Sequence, residues 1–183
     1  MGCIIILPMR KYRKDFKERV CEFAINYQKI NQVQKYMSIR FASQDIDFEL
    51  QKAEKVKNWI SRVIQLRGKR VGNISYLFCD DEHLLGVNQQ YLNHDTYTDI
   101  ITFDYVAADL ISGDIMISVD RVGENAKNFG VPFEQELYRV IIHGVLHLLG
   151  QGDKTDPEAA EMRRQEEEAL SLWNTMFPVE QIG

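Results

Sequence analysis

The sequence lacks the features that would indicate a membrane-spanning protein or a disulfide-rich secreted protein. No apolar run among its 183 residues approaches the roughly 20 residues that a membrane-spanning helix needs. Its three cysteines, Cys3, Cys21 and Cys79, form no CxxC pair, and an odd number with such spacing absent does not indicate a disulfide framework. We therefore expect a reducing, cytoplasmic location with no membrane partner.

The chain also lacks the sequence features that mark a boundary between domains. There is no internal repeat, no low-complexity tract and no linker rich in proline and glycine, and only four prolines occur. The hydrophobic fraction of 45% and the charged fraction of 27% are ordinary for a globular protein. Residues 37–183 are therefore predicted to form a single domain with one core.

Charge is distributed unevenly between the first 36 residues and the rest. Residues 1–36 hold eight Lys/Arg and three Asp/Glu, whereas the remaining chain holds 14 basic and 24 acidic residues. A predominantly acidic domain is poor general evidence for nucleic-acid binding. Any contact with RNA would therefore require a local basic patch.

The basic amino-terminal extension, residues 1–36, has two interpretations. Its apolar residues recur every three or four positions, which predicts one face of a helix: Phe16, Val20, Phe23, Tyr27 and Ile30. The helix could pack on the domain or be loosely attached to it. Alternatively, the domain begins at Met37 and the first 36 residues are an upstream extension that does not belong to it.

Apolar periodicity predicts alternating strands and helices followed by a group of helices. The predicted strands are Ile39–Ala42, Val71–Cys79, Ile100–Tyr105 and Asp114–Val119. The predicted helices cover 48–66, 80–91, 119–129, 132–150 and the segment after Asp156–Pro157. This order predicts an α+β fold, in which a mixed sheet of about four strands packs with helices around a buried central helix.

The predicted central helix carries two histidines on an otherwise apolar surface. His143 and His147 are four residues apart, so both imidazoles project from one face on consecutive turns. Gly150 permits the chain to reverse after the helix, and Asp153 follows three residues later. These residues predict a site for one divalent ion per chain, expected to be Zn²⁺, with His143, His147 and Asp153 as ligands.

Three protein ligands leave one tetrahedral position for water, which is typical of catalytic zinc sites. A metal-bound water with its pKa lowered to roughly 7 would then be the nucleophile, and no side-chain base is assigned. The spacing HxxxHxxGxxD also matches the outline of metzincin peptidases. Those enzymes carry a glutamate base after the first histidine, where this chain has Gly144, so the peptidase interpretation is the weaker one.

The residues 143–150, HGVLHLLG, resemble the HGxLHLxG signature of the YbeY family, the endoribonucleases of bacterial rRNA maturation. The resemblance covers roughly residues 37–175. It includes an N-x-x-Y segment, a T-D-I-I-T-F segment and a GDI strand start, found here at 88–91, 98–103 and 113–115, and the Glu161–Met162 pair. It implies a zinc ion, cleavage of single-stranded RNA, and association with rRNA precursors and the ribosomal subunit.

Two positions depart from the family pattern. Asp153 stands where the family usually has a third histidine, and this carboxylate would make the zinc somewhat less acidic. Leu92 stands where the family usually has an arginine, so phosphate binding is in question, because arginine holds phosphate bidentately and leucine does not. Arg139 could substitute, or it could form an ion pair with Glu136 or Glu134.

Asp99 is a further candidate near the metal. It could orient a metal-ligating histidine, or it could be a turn or capping carboxylate. His94, in a polar loop, is a weaker candidate for contact with substrate.

The sequence thus predicts a zinc-dependent endoribonuclease that cleaves single-stranded RNA and acts in rRNA maturation and ribosome quality control. A non-catalytic ribosome-assembly factor with a structural metal and a metzincin-like metallopeptidase are the alternatives.

Overall fold

The computed structural model describes residues 6–8, 38–92 and 95–178. These contain strands β1 (Ile6–Pro8), β2 (Ser38–Ser43), β3 (Arg70–Cys79), β4 (Ile100–Asp104) and β5 (Leu110–Ser118). The helices are α1 (Ala53–Leu66), α2 (Asp81–Leu92), α3 (Val119–Phe129), α4 (Phe133–Leu148) and α5 (Asp156–Met176). None of the helices within these ranges has both the length and the apolar character required to span a bilayer.

The strands form one mixed sheet in the order β1-β4-β5-β3-β2. Strands β2, β3 and β5 are mutually parallel, whereas β4 runs antiparallel to β5 and parallel to β1. The predicted α+β class with a mixed sheet is confirmed. Strands β2–β5 correspond to the four predicted strands, and the short β1 adds a fifth at the edge next to β4.

Side chains alternate between the two faces of the sheet, and both faces are buried. Ile100 in β4 and Ile115 in β5 point into the main core beneath α1, α4 and α5. Ile101 and Met116, their neighbours in sequence, belong to a smaller cluster on the opposite face, which includes Leu84 of α2. The sheet therefore supports α4 on one face while α2 covers the other.

Helix α4 is the buried central helix that the sequence predicted. From Glu136 to Leu148 every residue except Arg139 is buried. The helix approaches the sheet closely at Gly144, because a Cβ there would lie 2.9 Å from Ile100 Cδ1 and 3.0 Å from Ile115 Cδ1. This close contact fixes the position of the flanking turns, which carry His143 and His147.

Helix α5 packs on α4 and α1 through aromatic side chains. Trp59 Nε1 donates a 2.7 Å hydrogen bond to the Ala169 carbonyl, and the Tyr138 and Trp173 ring centroids are 4.3 Å apart. A capping box starts α5, in which the Thr155 hydroxyl accepts from Glu158 N and the Glu158 carboxylate accepts from Thr155 N. The buried face of α5, which includes Trp173, therefore packs against α4.

Two predicted boundaries were wrong. Helix α1 begins at Ala53, five residues after Phe48, because Lys52 adopts a left-handed backbone with φ 56°. Strand β5 begins at Leu110, four residues before the predicted Asp114, because the chain reverses tightly between Ala107 and Leu110.

The amphipathic helix predicted for residues 16–30 lies outside the described residues, as does His94. The boundary between an extension of residues 1–36 and the domain stays a prediction.

Candidate metal centre

The two histidines of α4 meet at their Nε2 atoms. They occupy consecutive turns of a helix packed on the sheet, and their side chains are nearly removed from solvent, with residue exposures of 7% for His143 and 2% for His147. The two Nε2 atoms are 2.9 Å apart. The predicted pairing of these imidazoles is therefore present in the fold.

The turn after α4 brings Asp153 to the same point. Gly150 has φ 93°, a left-handed conformation in which glycine is unstrained, and its N–H donates to the His147 carbonyl at 2.9 Å. The chain then returns toward the helix, so that Asp153 Oδ2 lies 3.9 Å from His143 Nε2 and 3.8 Å from His147 Nε2. One ligand atom from each of the three residues lies within 4.8 Å of the others, so the group could hold a metal ion.

Each imidazole ring also makes a hydrogen bond through its Nδ1 atom, on the side of the ring away from the other histidine. His147 Nδ1 donates to the Gln151 carbonyl at 2.8 Å, and His143 Nδ1 donates to a carboxylate oxygen of Glu166. A backbone carbonyl only accepts, so His147, when neutral, must present the lone pair of Nε2 to the site, and the contact with Glu166 turns His143 Nε2 toward the same point. Burial, followed by the charge of His143, lowers the pKa of His147 to about 4, so this ring is neutral at pH 7.

The donor set therefore fits a cation. Two imidazole Nε2 atoms and a carboxylate oxygen, each able to ligate a metal ion, converge in a largely buried space. Burial raises the pKa of Asp153, opposed by the charges of His143 and Lys154, and this penalty on its ionised form would be relieved by a bound cation. Two imidazoles with one carboxylate form a ligand set typical of catalytic zinc.

Gly144, the residue that follows the first histidine, has no space for a larger side chain in the present packing. A Cβ at position 144 would contact Ile100 and Ile115 at 2.9–3.1 Å, so the glutamate that serves metzincins as a base cannot be accommodated here with the present packing. This agrees with the peptidase being the weaker interpretation of the sequence.

Asp99 lies near the site and is not the partner of either histidine. Its Oδ2 accepts a 3.2 Å hydrogen bond from Asn125 Nδ2, and its buried Oδ1 has no hydrogen-bond partner within the described ranges. Burial raises the pKa of Asp99, although the charges of His143 and Arg139 oppose this. The position on His143 that the sequence offered to Asp99 is held by Glu166.

Arg139 is engaged within the protein. Its Nε donates to Glu136 Oε2 at 2.9 Å, Nη2 contacts Glu136 Oε1, and Nη1 lies 3.4 Å from Glu166 Oε2. The predicted ion pair with Glu136 is present, whereas Glu134 pairs with Lys52. A guanidinium held by two carboxylates is poorly placed to substitute for a phosphate-binding arginine.

Glu166 is the site residue that sequence reasoning missed. It is 4% exposed and lies on α5, with Met162, Ala169 and Trp173 as the other buried residues of that helix. The spacing of these four residues, 4, 3 and 4, places a carboxylate on a buried helical face, which is costly unless the carboxylate has a partner. That pattern was the available signal, and the acidic residues on either side obscured it.

Comparisons with known proteins show the family of this chain. A family model described as Endoribonuclease YbeY matches residues 38–174. The protein named Endoribonuclease YbeY from Flavobacterium psychrophilum is 55% identical over 130 residues, 71% of this chain and 93% of that protein. The protein of the same name from Porphyromonas gingivalis strain ATCC 33277 is 50% identical over 134 residues, 73% of this chain and 89% of that protein.

A solved structure supports the fold. A Thermotoga maritima protein, solved in solution, matches with a TM-score of 0.51 and 25% sequence identity, over 80% of this chain and 99% of that one.

Proposed function

Because this chain belongs to the YbeY family, we propose that it is a zinc-dependent endoribonuclease that cleaves single-stranded RNA. The observation that carries the proposal is the convergence of His143 Nε2, His147 Nε2 and Asp153 Oδ2, three atoms of the types that ligate zinc. Zinc is proposed over other divalent ions because imidazole nitrogen with one carboxylate is a donor set that zinc prefers.

The bound ion would supply Lewis acidity toward a phosphate oxygen and a water more acidic than bulk water. The protein's own groups prepare the site for this. The Gln151 carbonyl and the Glu166 carboxylate hold both imidazole rings with Nε2 directed at the site. Asp153 contributes one negative charge, which offsets part of the ion's charge.

The three predicted ligands differ in their exposure to solvent. The side chains of His143 and His147 are 9% and 1% exposed, whereas that of Asp153 is 18% exposed. A substrate phosphate would therefore reach the ion from the turn that follows α4.

We place the activity in the maturation of rRNA precursors and in ribosome quality control, in the cytoplasm and in association with the ribosomal subunit. Two of the relatives named above are called endoribonucleases, which supports RNA as the substrate. The chain's formal charge of -5 argues against broad electrostatic affinity for nucleic acid, so recognition would depend on a ribosomal partner or on local contacts.

Cleavage assays with metal-depleted and zinc-restored protein test the proposal. Labelled single-stranded RNA, duplex RNA of the same sequence and casein would be incubated in parallel. Cleavage of the single strand that is lost on chelation and returns with zinc is the expected result. Casein hydrolysis would indicate a peptidase. Zinc binding in the absence of either activity would indicate a non-catalytic assembly factor.

A further inference from the structure

Two buried carboxylates and one partly exposed guanidinium meet between α4 and α5. Glu136 is 2% exposed and Glu166 is 4% exposed, and both contact the guanidinium of Arg139. Buried carboxylates are retained only where hydrogen bonds and opposite charge compensate for lost hydration. The two carboxylates share one guanidinium, and Glu136 and Arg139 lie on the same face of α4 as His143, in the turns that precede it.

The Glu166 carboxylate connects this cluster to the metal centre. One carboxylate oxygen of Glu166 accepts from His143 Nδ1, and its other oxygen faces Arg139 Nη1 at 3.4 Å. Glu166 thus joins a ligand of the predicted metal to Arg139. His147 has no comparable charged partner, since its Nδ1 donates to a backbone carbonyl.

The guanidinium itself is fixed on its remaining sides. Glu136, one turn before Arg139 on α4, faces both Nε and Nη2, a bidentate arrangement that determines the plane of the guanidinium. The Phe129 ring covers it, with 5.7 Å between Arg139 Cζ and the ring centroid. Arg139 therefore presents Nη1 toward Glu166 and has little freedom to turn toward a substrate.

We infer that Glu166, Arg139 and Glu136 form a positioning relay for the metal centre, in which Glu136 and Arg139 hold the Glu166 carboxylate so that it keeps His143 Nε2 directed at the ion. The inference deepens the proposed function, on which it rests for the identity of the ion. It assigns Arg139 to metal positioning and not to phosphate binding.

Glutamine substitutions test the relay with little change of shape. In Glu166→Gln an amide replaces the carboxylate, so we expect the zinc affinity to fall by about 10- to 100-fold, as for other orienting partners of metal-bound histidines. Arg139→Gln should also lower zinc affinity, although its side chain lies two contacts away from the ion. Glu167→Gln, an exposed neighbour on α5, is the matched control and should bind zinc as the parent does.

Zinc affinity would be measured by competition with a chromogenic chelator. Long-range ¹H–¹⁵N NMR of the metal-free proteins would report the tautomer of His143. The parent should show one tautomer protonated at Nδ1, and Glu166→Gln should show a mixture. Circular dichroism would identify a variant that fails to fold. If Arg139→Gln fails to fold, Arg139→Lys would replace it, because lysine keeps the charge and loses the planar fork, and its zinc affinity should be lower than that of the parent.

The inference is overturned if the Glu166 and Arg139 variants fold, bind zinc as the parent does and keep the parent tautomer. A fall in RNA cleavage alone in Arg139→Gln would assign Arg139 to the substrate. The tautomer and affinity measurements require no RNA, so they remain decisive for the relay if the parent cleaves none. If the parent bound no zinc, the proposed function would fail and the tautomer would still test the relay.

Discussion

The Nε2 atoms of His143 and His147 lie 2.9 Å apart, and the Nδ1 atom of each ring contacts an oxygen atom on the side away from the other ring. Two ring nitrogens brought this close in a buried site need a shared proton or a cation between or beside them. The arrangement is therefore that of a site whose ligands are prepared for a cation before it binds.

The first prediction concerns the two histidines. The parent should contain about one zinc ion per chain, and His143→Ala or His147→Ala should abolish zinc binding because two ligands do not hold the ion against water. Elemental analysis after dialysis checks this. His83→Ala removes a histidine of α2 and should leave the zinc content unchanged. Stoichiometric zinc in either ligand variant would refute the site.

The second prediction concerns Asp153. Asp153→Ala should lower zinc affinity by about 10-fold or more, since the ligand set is reduced to two imidazoles. Asp153→His should keep the metal and shift the pH profile of RNA cleavage toward lower pH, because loss of the anion makes a coordinated water more acidic. Asp153→Asn is the control that keeps shape and loses charge. Equal affinity and equal pH profiles in all three variants would remove Asp153 from the ligands.

The third prediction concerns pH and the metal-free protein. Burial, followed by the charge of His143, lowers the pKa of His147 to about 4, whereas an unfolded chain has a histidine pKa of about 6.5. Between these values the unfolded state takes up a proton that the folded state does not. The stability of the folded state should therefore fall as the pH decreases from about 6.5 to 4, with no contribution from this group above that window.

Melting temperatures in EDTA at pH 7 and pH 5 check the third prediction. His147→Asn, which cannot titrate, should lose less stability between the two pH values than the parent. An equal loss in both proteins would show that His147 does not carry the effect.

The fourth prediction concerns Gly144, where α4 approaches the sheet. Gly144→Ala should destabilise the fold by about 1–3 kcal/mol, because the added methyl meets Ile100 and Ile115 at 2.9–3.1 Å. Gly123→Ala in α3 is the matched control, since a Cβ there contacts nothing within 4 Å. It should be neutral or stabilising by up to about 1 kcal/mol. Urea unfolding measures both, and a neutral Gly144→Ala would mean that the helix and sheet separate at little cost.

The fifth prediction concerns the amino-terminal extension. A chain that starts at Met37 should fold and keep its zinc, because the site and the two apolar clusters of the described residues lie in the segment from residue 38 onward. Such a chain lacks β1, which pairs with β4 over three residues at the sheet edge. Zinc content and melting temperature, compared with those of the full chain, test this. Aggregation or loss of zinc would indicate that the extension is part of the fold.

The sequence by itself determined the candidate metal ligands, because all three lie within eleven residues of one helix and the turn that follows it. The pitch of an α-helix aligns positions 143 and 147, and a glycine with positive φ returns the chain toward them. The local backbone geometry therefore brings the three predicted ligands together. Apolar periodicity, which is also a local property of the sequence, predicted α3 and most of α4 and β3.

Only the tertiary structure decided which groups surround those ligands. Glu166 is 23 residues from His143 and reaches it because α5 packs against α4, and the same packing brings Glu166 to Arg139. The strand order, in which β5 lies between β3 and β4, is likewise decided by pairing between distant segments. Such contacts depend on how whole helices and strands pack together, and the residue pattern within one helix or strand does not encode that packing.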